Sequence, residues 1–320
     1  MAKLGIIIPA YKAKFFSEAL ESIASQTNKN FHLYIGDDNS PENLESIIDG
    51  FKDRITLTYV RFAENLGGKE LVAQWERCIA LSKEEEWIWL FSDDDILAPN
   101  CVEEFYQNLN SSAISDLYHF DVSVIDMEGR EIERDTPFPN RLTSLEFLLG
   151  KFTSKYRSYV VEYVFSRKRY EELKGFPKFD LAWNTDDAMW FQMAQNSSIN
   201  TVPNAKVYWR ASGVNISRIK DNKEIAERKL KSDISYLKWL RTKFADIAKI
   251  DEKRIRKIVI YWFYSRLYNS RKIIEKSERE RLSYYFQREV YQVKNMFFIK
   301  WQVWIKQSKI YKTIFNLLRY

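Results

Sequence analysis

The sequence predicts an α/β fold, a mainly parallel sheet flanked by helices and followed by a helical C-terminal extension. Three observations predict it. Short runs of β-branched and aromatic residues alternate with amphipathic stretches over the first 110 residues. The stretches between those runs are long enough for a helix, so right-handed βαβ units and parallel pairing are expected. The charge also reverses along the chain. Residues 218–320 hold 27 Lys/Arg against 11 Asp/Glu, a net +16, whereas residues 1–217 hold 23 against 33, a net −10. That reversal divides the chain near 213–220.

Taken in order, Leu4–Ile8 reads as a first buried strand. Phe16, Ala19, Leu20 and Ile23 recur at the spacing of one helix face. Phe31–Ile35 is a second strand, closed by Asp37-Asp38-Asn39-Ser40-Pro41. Leu44, Ile47, Ile48 and Phe51 repeat the helical stripe. Ile55–Phe62 is a third strand, ended by Asn65-Leu66-Gly67-Gly68. Leu71, Trp75, Cys78 and Ile79 mark a third helix, and Trp87–Phe91 a fourth strand. Beyond residue 110 the alternation breaks down. Leu117–Val124 and a segment around Ile132 flank a hairpin turn at Asp126-Met127-Glu128-Gly129. Tyr159–Phe165 is a further strand, followed by a short helix that Gly175 ends. Thr185-Asp186-Asp187 opens a helix with Met189, Trp190 and Met193 on one side, and Val202–Trp209 is the last strand. Residues 222–320 read as helical, with Asp251 as an N-cap.

Several classes are excluded. Pro9-Ala10-Tyr11-Lys12 stands where a dinucleotide fold needs Gly-x-Gly-x-x-Gly, and no Gly-x-x-x-x-Gly-Lys-Ser/Thr loop occurs. Two histidines, His32 and His119, and two cysteines, Cys78 and Cys101, argue against a zinc site and for a reducing, cytoplasmic setting. The apolar run ending at Pro9 is too short for a signal peptide, and no 18-residue apolar stretch spans a membrane. What the strand ends carry instead is carboxylates. Ser92-Asp93-Asp94-Asp95 follows a buried strand, where adjacent like charges are costly unless a cation neutralises them. Mg²⁺ or Mn²⁺, held by one or two carboxylates and completed by substrate phosphates, fits such a cluster. Taken singly, Asp38 and Asp187 also read as an N-cap and as an acid favoured in a first helical turn.

The ordered set is more informative. Ile6-Ile7-Ile8-Pro9-Ala10-Tyr11, then Leu20-x-Ser22-Ile23-x-x-Gln26-Thr27, then Asp37-Asp38-Asn39-Ser40 resembles the opening of the family-2 glycosyltransferases. Asn65-x-Gly67, Leu90–Pro99, Gly175-Phe176-Pro177, Thr185-Asp186-Asp187 and Tyr208-Trp209-Arg210 continue the resemblance over residues 3–217. It implies an inverting enzyme with a GT-A, Rossmann-type fold that takes a nucleotide diphosphate sugar and Mg²⁺ or Mn²⁺. By position, Pro9, Ala10 and Tyr11 would line the base pocket, and Asp38 would accept the base N–H, favouring a UDP-sugar. Asn65, Gly67 and Lys69 would close the nucleotide side. Asp93 would face the ribose, Asp94 would bind the metal, and Asp95 would be a second or a water-mediated ligand. Asp187 would be the general base. On this reading residues 1–217 form the catalytic domain, with the nucleotide-sugar half over about 1–110 and the acceptor half over about 111–217. Four departures stand out. The family's Asp-x-Asp becomes Ser92-Asp93-Asp94, and its Arg-Asn becomes Gln74-Trp75. The His after Tyr-x-Arg is absent, and no Gln-x-x-Arg-Trp follows Asp187, which points to one transfer per encounter.

The acceptor implied is a saccharide or a lipid-linked saccharide in bacterial surface polysaccharide (capsule or O-antigen) biosynthesis. Residues 218–320 form a basic, aromatic helical region. Within it, residues 294–320 interleave Lys and Arg with Trp, Phe and Tyr, as a surface meeting an anionic membrane would. Helices packing their aromatics with the cations toward water account for the same pattern. No nucleic-acid-binding motif accompanies the basic charge. The competing class is a non-enzymatic, membrane-associated or scaffold protein built on a degenerate nucleotide-binding domain.

Overall fold

The computed structural model describes residues 3–111, 115–213, 215, 218–219, 221–243 and 252–292. The expected N-cap Asp251 and the basic stretch 294–320 lie outside the described residues. The chain divides into two units, one of Met1–Lys178 with Thr185–Asn215, the other of Phe179–Asn184 with Ile216–Tyr320.

The first unit opens with strictly alternating strands and helices. These are β1 (Leu4–Ala10), α1 (Phe16–Ala24), β2 (Phe31–Asp37), α2 (Leu44–Ile48), β3 (Leu57–Arg61), α3 (Leu71–Ile79) and β4 (Trp87–Leu90). Then come β5 (Ile96–Leu97), α4 (Cys101–Ser111), β6 (Leu117–Ile125), β7 (Glu131–Arg134), β8 (Arg141–Leu142), α5 (Ser144–Phe152), β9 (Tyr163–Ser166), α6 (Arg167–Glu172), α7 (Thr185–Met193) and β10 (Ile199–Arg210). One sheet collects all ten strands in the order β3-β2-β1-β4-β9-β6-β10-β5, with β7 added to β6 and β8 to β10. The β3-β2-β1-β4 half is parallel throughout. Strand β9 runs antiparallel to both β4 and β6, and β6 and β10 run parallel to each other.

The reasons are local. Leu4, Ile6, Ile7 and Ile8 are all fully buried, because a parallel sheet is covered on both faces and tolerates no polar alternation. Phe16, Ala19, Leu20 and Ile23 of α1 are buried as their spacing requires. Gly36 sits where α3 crosses β2. A Cβ there would overlap Cys78 Sγ and come within 2.9 Å of the Phe62 ring. Gly36→Ala is therefore expected to destabilise the protein by about 1–3 kcal/mol through overpacking, read as a lower urea midpoint at unchanged m-value.

Several elements differ from their sequence-predicted bounds. Strand β9 begins at Tyr163 rather than Tyr159, and the backbone N–H of Tyr159 donates to Glu162 Oε1 at 3.0 Å instead of to a neighbouring strand. Helix α7 is buried on nearly every side rather than along one stripe, so its periodicity carries little information. Helix α5 was not expected, although Thr143 and Glu146 form a capping box at its start. Helix α6 is C-capped by Leu173, and the C′ position expected for Gly175 is held by Lys174 at φ +63°; Gly175 follows at φ +84°, its N–H donating to Tyr170 O at 3.1 Å.

The second unit contains α8 (Lys223–Lys243), α9 (Glu252–Asn269) and α10 (Lys276–Tyr291). Its buried Asp233 accepts Trp183 Nε1 at 2.8 Å, Asn184 Nδ2 at 3.0 Å and Arg266 Nε at 2.7 Å. These bonds, with Phe179 packed edge-on against Tyr236, tie Phe179–Asn184 to this unit, a pairing invisible to local periodicity. Among the described residues no helix is long and apolar enough to cross a membrane.

Candidate active site

Three loops leave the carboxyl ends of β1, β2 and β4, where ligands bind in open α/β sheets. The loop after β1 is held by Asp93. Its Oδ2 accepts the backbone N–H groups of Tyr11 and Lys12, each at 2.8 Å. Burial, and after it the neighbouring Asp94 charge, push the Asp93 carboxyl up to about 6 against the pull of those two N–H groups. Ser40 Oγ donates to Tyr11 O at 2.6 Å, so the β2 loop braces the same turn. Tyr11 itself is 40% exposed and presents a free ring, whereas Ala10 is buried and Pro9 half-buried.

Asp38 organises the loop after β3. Its Oδ1 accepts Leu66 N at 2.7 Å and the Arg77 Nη2 of α3; its Oδ2 accepts Gly67 N at 2.8 Å and Asn65 Nδ2 at 2.9 Å. A carboxylate has about four lone-pair positions, and these donors occupy them. Asp38 therefore builds the Asn65–Gly67 loop, and a base would reach its carboxylate only by taking the place of one donor. A Cβ at position 67 would lie 2.7 Å from Asp38 Oδ2, so a larger residue there would push the carboxylate off its donors. Lys69 is exposed, its backbone N–H donating to Leu66 O at 2.9 Å. Arg77 was not singled out from sequence. It lies one helical turn past Gln74, hydrogen-bonds that side chain, and stacks over Phe62 with its guanidinium 3.9 Å from the ring centre.

The three aspartates after β4 are all buried, and each does something different. Asp94 Oδ1 accepts Ser92 Oγ at 2.6 Å, while Oδ2 is buried with no hydrogen-bond partner. Asp95 Oδ1 accepts Arg210 N at 2.6 Å, and burial followed by the Asp94 charge pushes its carboxyl well above the usual range. Arg210, fully buried, donates Nε to Asp94 O at 2.8 Å and Nη2 to Glu18 Oε2 at 2.6 Å, and its Nη1 reaches the Asp126 and Met127 carbonyls. On the other side, Gln26 Nε2 donates to Ala98 O at 2.8 Å and Ser22 Oγ accepts Leu97 N at 3.2 Å. Ser22 and Gln26 of the sequence motif thus serve the Asp93–Asp95 turn structurally.

Among the described residues no three His, Cys, Asp or Glu side chains converge to hold a cation by themselves. An orphaned carboxylate oxygen with buried neighbours nonetheless suits a cation completed by ligand oxygens, because a buried acceptor without a donor is costly on its own. Asp94 has that oxygen.

Asp187 belongs to a second cluster. It lies in the first turn of α7, and its Oδ1 is 3.1 Å from Lys151 Nζ on α5. Burial and the Asp187 charge push the adjacent Asp186 carboxyl upward. Glu162 is fully buried, raised well above its usual range by that burial, and 3.9 Å from His119 Nε2. Burial holds the His119 imidazole neutral, down to about 3. Lys151 and Glu162 carried no sequence signal, each being one polar residue in an apolar stretch.

The chain is similar to known proteins in sequence and in fold. Residues 5–162 match the family described as Glycosyl transferase family 2. Over 125 residues the chain is 29% identical to glycosyltransferase GlyG of Streptococcus pneumoniae, a match covering 38% of this chain and 40% of GlyG. The crystal structure of Staphylococcus aureus TarS 1–349 with UDP-GlcNAc superposes with a TM-score of 0.57 at 15% identity, covering 90% of this chain and 88% of that one. The mannosyltransferase PcManGT of Pyrobaculum calidifontis, with GDP-Man and Mn²⁺, superposes with a TM-score of 0.55 at 13% identity, covering 97% and 82%. With the parallel β3-β2-β1-β4 half, the aspartate turn after β4 and the matched residues together, the chain carries a glycosyl transferase family 2 domain of GT-A fold.

Proposed function

We propose that this protein transfers a sugar from a nucleotide diphosphate sugar, a UDP-sugar in the first instance, to an acceptor hydroxyl with inversion. The observation that carries the reading is Asp94 Oδ2, a buried acceptor without a donor at the strand end where a diphosphate would lie. Asp94 would hold Mg²⁺ or Mn²⁺, and Asp95, one oxygen of which takes the Arg210 N–H, would contribute through water. The bound ion supplies Lewis-acid stabilisation of the departing diphosphate. Tyr11 offers its exposed ring to the base, and Pro9, Ala10, Asn65, Gly67 and Lys69 frame the nucleotide. Asp93 fixes the Tyr11 turn beside the ribose. Asp187 takes the acceptor proton as the hydroxyl attacks from the face opposite the diphosphate. That TarS was crystallised with UDP-GlcNAc, and PcManGT with GDP-Man and Mn²⁺, supports a nucleotide-sugar donor and a cation. The TarS name, a poly(ribitol-phosphate) beta-N-acetylglucosaminyltransferase, supports a polymeric acceptor; we propose a surface polysaccharide, free or lipid-linked, met at the cytoplasmic membrane face.

A thermal-shift panel of UDP, CDP, GDP and dTDP with Mn²⁺ tests the donor. UDP and dTDP carry a ring N–H able to take the place of one of the four donors on Asp38, where CDP presents an acceptor, so UDP should stabilise more than CDP. Equal shifts would confine Asp38 to building its loop, and a shift with GDP alone would overturn the UDP assignment.

A further inference from the structure

The acceptor-side cluster contains more ionisable groups than one proton transfer needs. Around Asp187 are Asp186 on its own helix, Lys151 on α5 and Tyr163 at the start of β9, while Glu162 and Asp135 interact in turn with Lys151 and with each other. The other carboxyl groups are each already accounted for. Asp186 and Glu162 are driven toward their neutral forms by burial, and Asp135 lies 3.3 Å from Arg157. His119 stays neutral behind Glu162. The cation in contact with Asp187 is Lys151, at 3.1 Å, and both side chains are largely enclosed, 18% and 12% exposed. Asp187 Oδ1 is shut off from solvent and meets Lys151 as an ion pair rather than through an aligned hydrogen bond, so the exposure that the side chain keeps lies away from that oxygen.

We infer that Lys151 is the positioning residue of Asp187: its ammonium, 3.1 Å from Oδ1, holds the carboxylate in one orientation and leaves Oδ2 to receive a proton. The inference rests on the reading of Asp187 as the base. A partly buried cation at this distance restrains the rotation of the carboxylate, because the attraction is strongest when Oδ1 faces Nζ. Removing Lys151 frees that rotation, and the acceptor proton then meets a carboxylate that is no longer aimed at it.

The test follows steady-state UDP release from UDP-GlcNAc by the full chain and its variants. Lys151→Met should lower kcat about tenfold or more with the donor KM near the parent value, and Lys151→Arg, which keeps a cation beside Asp187, should recover most of that rate. Parent-like kcat in folded Lys151→Met overturns the inference. So does a Lys151→Arg variant as slow as Lys151→Met, since the cation would then not be what positions Asp187. If Lys151→Met fails to fold, Lys151→Gln removes the charge and keeps a polar end. The rate of Asp187→Asn reports separately on the base role, so failure of that reading is distinguishable from failure of this one.

Discussion

Asp94→Ala should leave a folded protein whose sugar transfer falls by about 10³-fold or more, the several kcal/mol that a Lewis acid contributes to a departing diphosphate. The structure explains why the two effects separate. Asp94 lends one side-chain oxygen to Ser92, while its backbone carbonyl, which the substitution keeps, takes the Arg210 bond. Removing the carboxylate also deletes a buried oxygen that lacks a donor, so stability should hold or rise slightly. Circular dichroism melts alongside turnover check both halves. A large loss of melting temperature would mean that Asp94 serves the fold rather than the ligand.

Asp187→Asn should keep nucleotide affinity and lose rate, by about 10²–10⁴-fold, the usual contribution of a positioned base. Asparagine keeps the shape but accepts no proton, and it leaves the Lys151 ammonium facing a neutral amide. Isothermal titration with UDP and Mn²⁺ should give the parent's affinity. Steady-state turnover should show the fall in kcat with little change in KM for the donor. Parent-like turnover would return Asp187 to the status of an acid favoured at a helix N-terminus.

What the sequence made legible follows from how local each cause is. Strands β1 and β4 could be read because burial on both faces leaves apolar runs, β3, half-buried at the edge of the sheet, because of its β-branched and aromatic residues, and the Asp93–Asp95 turn because three acids after a buried run need a compensating charge. Ser22 and Gln26 were visible as part of a motif, but their task, holding Leu97 and Ala98, appears only as hydrogen bonds from α1 and the turn that follows it to the segment after Asp95. Arg210 was likewise named within its motif without a role; burial of its whole guanidinium against Asp94, Asp126, Met127 and Glu18 is a property of four distant segments. Arg77 had a periodic signal, three residues after Gln74 on one helix face, yet only the fold brings Asp38 to it. The attachment of Phe179–Asn184 to the second unit depends on the buried Asp233 and could not be read from its own composition. Helix α5 was within reach, since Thr143-x-x-Glu146 before an apolar run is a capping-box pattern.

The central claim is that Asp94 holds a cation which in turn holds the nucleotide diphosphate. Calorimetric titration of UDP into the parent and Asp94→Ala, with Mn²⁺ and with EDTA, tests it most directly. Binding should be strong in the parent with Mn²⁺, and at least tenfold weaker, about 1.4 kcal/mol, in EDTA or in Asp94→Ala under either condition. Mn²⁺-dependent UDP binding of equal strength in Asp94→Ala would contradict the account.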